Sequence, residues 1–160
     1  MQFTKSDHYQ KVEAFMVMAR QSTPQFPMEP SKETRILRAK LILEEALETL
    51  AALGVQANLF YDGDRISIEN GNLFFEVLSD FDLEGTIDGC CDLKVVTTGT
   101  LVACGIPDTA FQDAVDDNNL EKFGPGHQIR PDGKLVKPPG HKPPDIGGLI
   151  SDLKRKCENA

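Results

Sequence analysis

Leu43-Glu44-Glu45-Ala46-Leu47-Glu48 is the stretch on which the reading of this chain turns. It lies inside a run from Ser31 to Leu53 with helical periodicity, and Gly54 stands where a helix would end. Helical residues three and four apart share a face, so Glu48 lies beneath both Glu44 and Glu45. On a second predicted helix, Asp88 and Asp92 repeat that spacing. Leu41, Leu43 and Leu47 surround the first acids, and Cys90, Cys91, Leu93, Val95 and Val96 surround the second. Carboxylates among apolar neighbours repel one another and lose hydration unless something compensates them. A hard divalent cation is the usual compensation, and magnesium takes oxygen ligands. Taken alone, three glutamates in one helical turn are most often a solvated face. The second acidic pair weakens that reading, because Gly89, Cys90 and Cys91 beside it read as close-packing residues rather than solvent-facing ones.

Working outward, the pattern predicts a first helix from about Asp7 to Gln21, with Val12, Phe15, Met16 and Ala19 as its apolar stripe. Pro24, Pro27 and Pro30 then break helix and predict an extended crossover. Ser31 is the expected N-cap of the second helix, with Glu33 favourable in its first turn. Residues 58–78 change character. Arg65-Ile66-Ser67-Ile68-Glu69 alternates, Asn70-Gly71 is a hairpin turn signal, and Asn72-Leu73-Phe74-Phe75-Glu76-Val77 follows, which predicts a small β-hairpin inserted between helices. A third helix is expected from Leu83 or Glu84 to Cys104, stopped by Gly105, and a fourth from Pro107 to Lys122. Glycine and proline dominate after Lys122, but Ile129, Leu135, Val136 and Ile146 interrupt them, and a last short helix is expected from Asp145 to Lys156. Residues 123–160 thus read as an extension ordered against the body or a second subunit. The fold class expected is all-α, a bundle of four to five helices with a small hairpin insertion, in a single domain over residues 1–160.

The bulk numbers agree. A net charge of −8 argues against binding a nucleic-acid polymer or an anionic membrane surface, while a bound metal could still reverse the local sign for an anionic substrate. No signal peptide and no apolar run long enough for a bilayer is seen. Cys90, Cys91, Cys104 and Cys157 form no CxxC pair, so zinc and disulfide frameworks are disfavoured. Reduced thiols in a helical core suggest a cytoplasmic protein.

Other metal and nucleotide motifs fail. Asp80-Phe81-Asp82-Leu83-Glu84-Gly85 opens like a calcium loop, yet Cys91 occupies the place of the required glutamate; Asp62-Gly63-Asp64 fails likewise at Leu73. His8, His127 and His141 complete no Glu-x-x-His pair and read as surface or loop residues. There is no P-loop. Asn119 and Lys122 close the fourth helix. The bland reading is a helix end with a lysine that suits the dipole; the functional one is a phosphate or sugar clamp. Lys134 and Lys137 are ordinary loop lysines with a weaker claim on phosphates.

The ordered set of motifs resembles the all-α nucleoside triphosphate pyrophosphohydrolases, the superfamily of MazG, dimeric dUTPases and phosphoribosyl-ATP pyrophosphohydrolase. Glu44, Glu45 and Glu48 match its Glu-Glu-x-x-Glu signature. Asp92-Leu93 through Gly99, Gly105 and Ile106 match the later Asp-Leu and its glycine-containing helix. Asn119 to Lys122, the Asp132-Gly133-Lys134 turn and a Lys-Pro segment follow in order, closest to the short MazG-like and dUTPase-like members. There are departures. Many relatives carry a glutamate three residues before the aspartate, where this chain has Gly89. Either Asp88 takes over the role with shifted geometry or one metal site is weakened. Val95 and Thr98 stand where many relatives have tyrosines.

The resemblance implies hydrolysis of a (d)NTP between the α and β phosphates to a monophosphate and pyrophosphate. It implies magnesium, with manganese as substitute, on Glu45, Glu48, Asp92 and Asp88. Glu44 would be general base or outer-sphere ligand, and Asn119, Lys122, Lys134 and Lys137 substrate contacts. It also implies a homo-oligomer, dimer or tetramer. The alternatives are phosphoribosyl-ATP pyrophosphohydrolase, a non-catalytic nucleotide-binding module of the same fold, and a helical interaction protein with an acidic face.

Overall fold

A computed structural model describes residues 2–59, 66, 72–123, 127–130 and 135–159. Among the described residues there are five α-helices: α1 (Asp7–Met18), α2 (Lys32–Ala52), α3 (Leu83–Ala103), α4 (Thr109–Leu120) and α5 (Ile146–Glu158). Two short strands, β1 (Val55–Leu59) and β2 (Leu73–Val77), stand between α2 and α3. The architecture is all-α with a small β insertion. No described helix is long and apolar enough to cross a membrane. The chain falls into two compact units, Met1–Glu29 with Leu101–Ala160, and Pro30–Thr100.

The first unit holds most of the buried apolar side chains: Tyr9, Val12 and Met16 from α1, Val102 and Ala103 from the end of α3, Ala110 and Phe111 from α4, and Leu153 from α5. Polar ties lock the chain start to the start of α4. Thr109 Oγ1 donates to the Thr4 carbonyl at 2.7 Å, and Asp108 accepts from the Ser6 amide at 2.9 Å and from its hydroxyl at 2.5 Å. Asp108 therefore serves Ser6 instead of capping its own helix. This is why α4 begins at Thr109, two residues beyond the proline expected to open it. The α4 helix ends at Leu120, and its last turn tightens into a 3-10 turn over Glu121–Phe123. The α1 helix stops at Met18, short of the expected Gln21. Arg20 takes a left-handed φ of 58°, and the Gln21 amide donates to the Met16 carbonyl at 2.9 Å. That is a Schellman closure with arginine where glycine usually signals it. Gly105, at φ 67°, ends α3 where a Cβ would run into the Phe26 carbonyl. Beside it the Met28 amide donates to the Cys104 carbonyl at 3.0 Å, which seats the proline crossover.

The second unit is α2, the two strands and most of α3. Ser31 caps α2 by accepting from the Thr34 amide, and Gly54 at φ 73° ends it. The strands pair antiparallel from Val55↔Val77 to Leu59↔Leu73. An antiparallel pair was expected, but with residues 65–69 as its first strand. The strand that pairs with β2 is 55–59, which follows the Gly54 stop directly; of the expected 65–69 strand and Asn70-Gly71 turn, all but Ile66 lie outside the described residues. Asp82 starts α3 by accepting from the Gly85 amide at 3.1 Å. Among the described residues Val96 is the one buried hydrophobic side chain of this unit. The packing reading of the cysteines is corrected here. Cys90, Cys91 and Cys157 are exposed and Cys104 is half-buried, so the thiols do not form a core. The small residue that does pack is their neighbour, Gly89, which is buried.

Candidate functional site

The five acids all lie in the second unit, three on α2 and two on α3. Glu45 and Asp92 are half-buried, whereas Glu44, Glu48 and Asp88 are exposed. The Glu45 carboxyl is held above the ordinary carboxylate range. Partial desolvation is the largest cause, followed by the charges of Asp92, Glu48, Glu44 and Asp88 in that order. The fold thus brings negative charge from α3 to bear on α2, with Asp92 foremost. Asp88 acts least, and it lines an open hollow of about 550 Å³ with Asp82, Glu84, Gly85, Ile87 and Cys91.

The apolar neighbours do not enclose these acids within one chain. Leu43 is 60% exposed and Leu47 49%. Nor do the side chains converge on one point: among the described residues no three His, Cys, Asp or Glu groups lie close enough together to hold a metal ion. The chemistry of the donor set nonetheless fits a hard divalent cation, with five oxygen-bearing carboxylates and no imidazole or thiolate required. Like charges that repel one another are what such a cation would offset.

Sequence reasoning passed over two residues of this unit. Thr49 is 7% exposed, and its Oγ1 donates to the Glu45 carbonyl at 2.7 Å. Arg38 is 6% exposed, and burial pushes its guanidinium below its ordinary pKa. It precedes Glu45 by seven residues, two helical turns along one face, a spacing that was available in the sequence as a signal.

The basic and amide groups sit in the first unit. Lys122 Nζ donates to Asn119 Oδ1 at 2.6 Å, so the two expected clamp residues are paired with each other. Lys137 is exposed, and Lys134 lies outside the described residues. Asn118, not singled out beforehand, holds the tail: its Nδ2 donates to the Lys142 carbonyl at 2.8 Å and its Oδ1 meets His141 Nε2 at 3.2 Å. Asp145 then caps α5 through the Gly148 amide at 2.8 Å. His8 and His141 are half-buried and His127 exposed, and none stands among the acids of the second unit.

Comparison with curated proteins finds no match. A family model does match, that of phosphoribosyl-ATP pyrophosphohydrolase, over residues 10–119. The matched span runs from within α1 to the last turn of α4 and includes both acidic helices. A stretch that long, carrying the signature acids in order, makes this chain a member of the phosphoribosyl-ATP pyrophosphohydrolase family.

Proposed function

We propose that this pyrophosphohydrolase cleaves the α–β phosphoanhydride of a nucleotide 5′-triphosphate, releasing pyrophosphate, with phosphoribosyl-ATP as the first substrate to test. The observation that carries the proposal is the family match over residues 10–119, which spans the acids of α2 and α3 whose charges act on Glu45. Carboxylates set against one another in this way suit a divalent cation, magnesium or manganese, held by Glu45, Glu48 and Asp92 with Asp88 as a weaker contributor. A bound cation supplies stabilisation of the charge that develops on the phosphoryl oxygens. Glu44, exposed and next to Glu45, accepts the proton of the attacking water as the bond between the α and β phosphates breaks. Water adds its oxygen to phosphorus, and the pyrophosphate leaves with the bridging oxygen. Asn119, Lys122, Lys134 and Lys137 are assigned phosphate or sugar contacts by resemblance alone.

A homo-oligomer belongs to the proposal. Among the described residues one buried hydrophobic side chain is a thin core for the second unit, and α2 leaves Ile36, Leu37, Leu43 and Leu47 exposed. A symmetric partner would cover such a face. The exposed thiols suit a reducing, cytoplasmic setting.

A second reading, a (d)NTP pyrophosphohydrolase of the dUTPase-like kind, is favoured by residues 120–160. They continue past the family match and include the whole of α5. One experiment separates the readings. Phosphoribosyl-ATP and a panel of canonical and modified (d)NTPs are incubated with magnesium, and products are resolved by anion exchange. The proposal requires a monophosphate and pyrophosphate from one of these, lost with chelator. A diphosphate product overturns it in favour of cleavage at the β–γ bond, and no product from any of them overturns it and leaves a nucleotide-binding module.

A further inference from the structure

We propose that Gly89 and Thr49 are positioning residues for the acidic site, setting how closely α2 and α3 approach one step before Glu45 and Asp92 along the helix seam. The inference rests on the cation-binding part of the function proposed above. A Cβ built on Gly89 would lie 2.5 Å from Thr49 Oγ1, 3.1 Å from Thr49 Cα and 3.2 Å from Thr49 Cβ. The backbone of α3 therefore rests on α2 at this point with no side chain between. One turn earlier on α3, a Cβ on Gly85 would lie 3.2 Å from the Ala52 Cβ, so the contact recurs as the helices run past each other in opposite directions. The next step along the same seam is Asp92 on α3 and Glu45 on α2. Asp92 is accordingly the foremost charge acting on Glu45.

Thr49 ties the seam to the site through its hydrogen bond to the Glu45 carbonyl, which fixes its hydroxyl against the glycine. Helix spacing depends on the side chains at the contact. A methyl group at position 89 would displace α3 from α2 and draw Asp92 away from Glu45. It would not alter any carboxylate.

The test is manganese binding to the full chain, read by loss of the free-ion paramagnetic resonance signal, with helicity and Tm measured for each protein. Gly89→Ala is expected to weaken binding by about tenfold or more, the scale of lost support around a metal ligand. Adding Thr49→Ala removes the hydroxyl that the new methyl meets and leaves contacts that a few tenths of an ångström relieve, so the double variant should recover most of the affinity. Val102→Ala hollows the core of the other unit, where Val102 is fully buried, and should lower Tm with affinity unchanged. Wild-type affinity in Gly89→Ala overturns the proposal and leaves the cation site standing. So does failure of the double variant to recover binding, or a fall in affinity in Val102→Ala that tracks its lost stability. Absence of manganese binding by the unaltered chain overturns the cation site and this proposal together.

Discussion

Glu45→Gln should stabilise the metal-free protein while abolishing its response to a cation. The substitution keeps size and helix propensity nearly constant and removes one negative charge. Like-charged pairs three or four apart on a helix each cost roughly 0.2–0.5 kcal/mol. Glu45 has one such partner in Glu48, and Asp92 on α3 acts on it more strongly than Glu48 does. Both interactions are partly screened by water because the carboxyl is only half-buried. Their joint removal should therefore be worth roughly 0.5–1 kcal/mol, or a rise of about 1–4 °C in Tm for a chain of this length. A cation at about a hundred times its Kd adds roughly 2.7 kcal/mol to the unaltered protein, about 5–10 °C. The variant should gain almost none of that. Thermal melts by circular dichroism, with chelator and with manganese, give four Tm values, and the two differences should have opposite sign. A Glu45→Gln protein that melts lower than the parent in chelator would refute the repulsion argument. One that gains as much from manganese as the parent would refute the ligand assignment.

The remaining predictions concern pH, turnover and the fold. Without metal, Tm should rise as pH falls from neutrality, because the charged form of Glu45 is the one the fold disfavours and its penalty disappears below the ordinary carboxylate value. Glu13 works the other way: burial raises its pKa, but hydrogen bonds from Lys5 and Gln25 outweigh that and lower it, so its contribution is lost only as pH falls through its lowered value. A melt series in chelator should pass through a maximum on the acid side of neutrality, and a monotonic fall from pH 7 would contradict this. Asp92→Asn should leave helicity intact and lower kcat about 100-fold or more against whichever triphosphate the panel identifies, so retained turnover removes Asp92 from the site. Gly105→Ala forces a left-handed φ on an L-residue at about 1–2 kcal/mol and drives a methyl into the Phe26 carbonyl. A Tm loss of about 5 °C or more is expected in the same melts, and a loss under about 1 °C would show that the turn relaxes freely.

Helix order was legible because periodicity and stop signals are local. Ser31, Gly54 and Gly105 each do in three dimensions what their residue types announce. What was not legible depended on distant partners. Arg20 closes α1 in a left-handed conformation that nothing about arginine forecasts. Pro107 looked like a helix opener, but Asp108 is engaged by Ser6, about a hundred residues away in the chain, and α4 starts after it. The pairing of Val55–Leu59 with β2 was not foreseen for a related reason. Alternation in 65–69 and a turn at Asn70-Gly71 are good local signals, whereas Val55–Leu59 has little alternation and is selected by its pairing with Leu73–Val77.

The acids divide along the same line. Their types and spacings could be read directly, since placing Glu45 over Glu48 needs only the pitch of one helix. The distance between helices could not, and it is set by residues that carry no charge. Gly89 first draws attention as a missing glutamate, a gap in an expected ligand set. In the fold it is a contact point: a glutamate side chain there would start from a Cβ 2.5 Å from Thr49 Oγ1, so with threonine at position 49 this crossing of α2 and α3 disfavours the very side chain whose absence was noted. Asp88 lines an open hollow with Asp82, Glu84, Gly85, Ile87 and Cys91, and its charge acts least on Glu45 of the four neighbouring acids. The proposed site is therefore centred on Glu45, Glu48 and Asp92, with Asp88 as its weaker contributor and the close approach at Gly89 where a further glutamate would otherwise be sought.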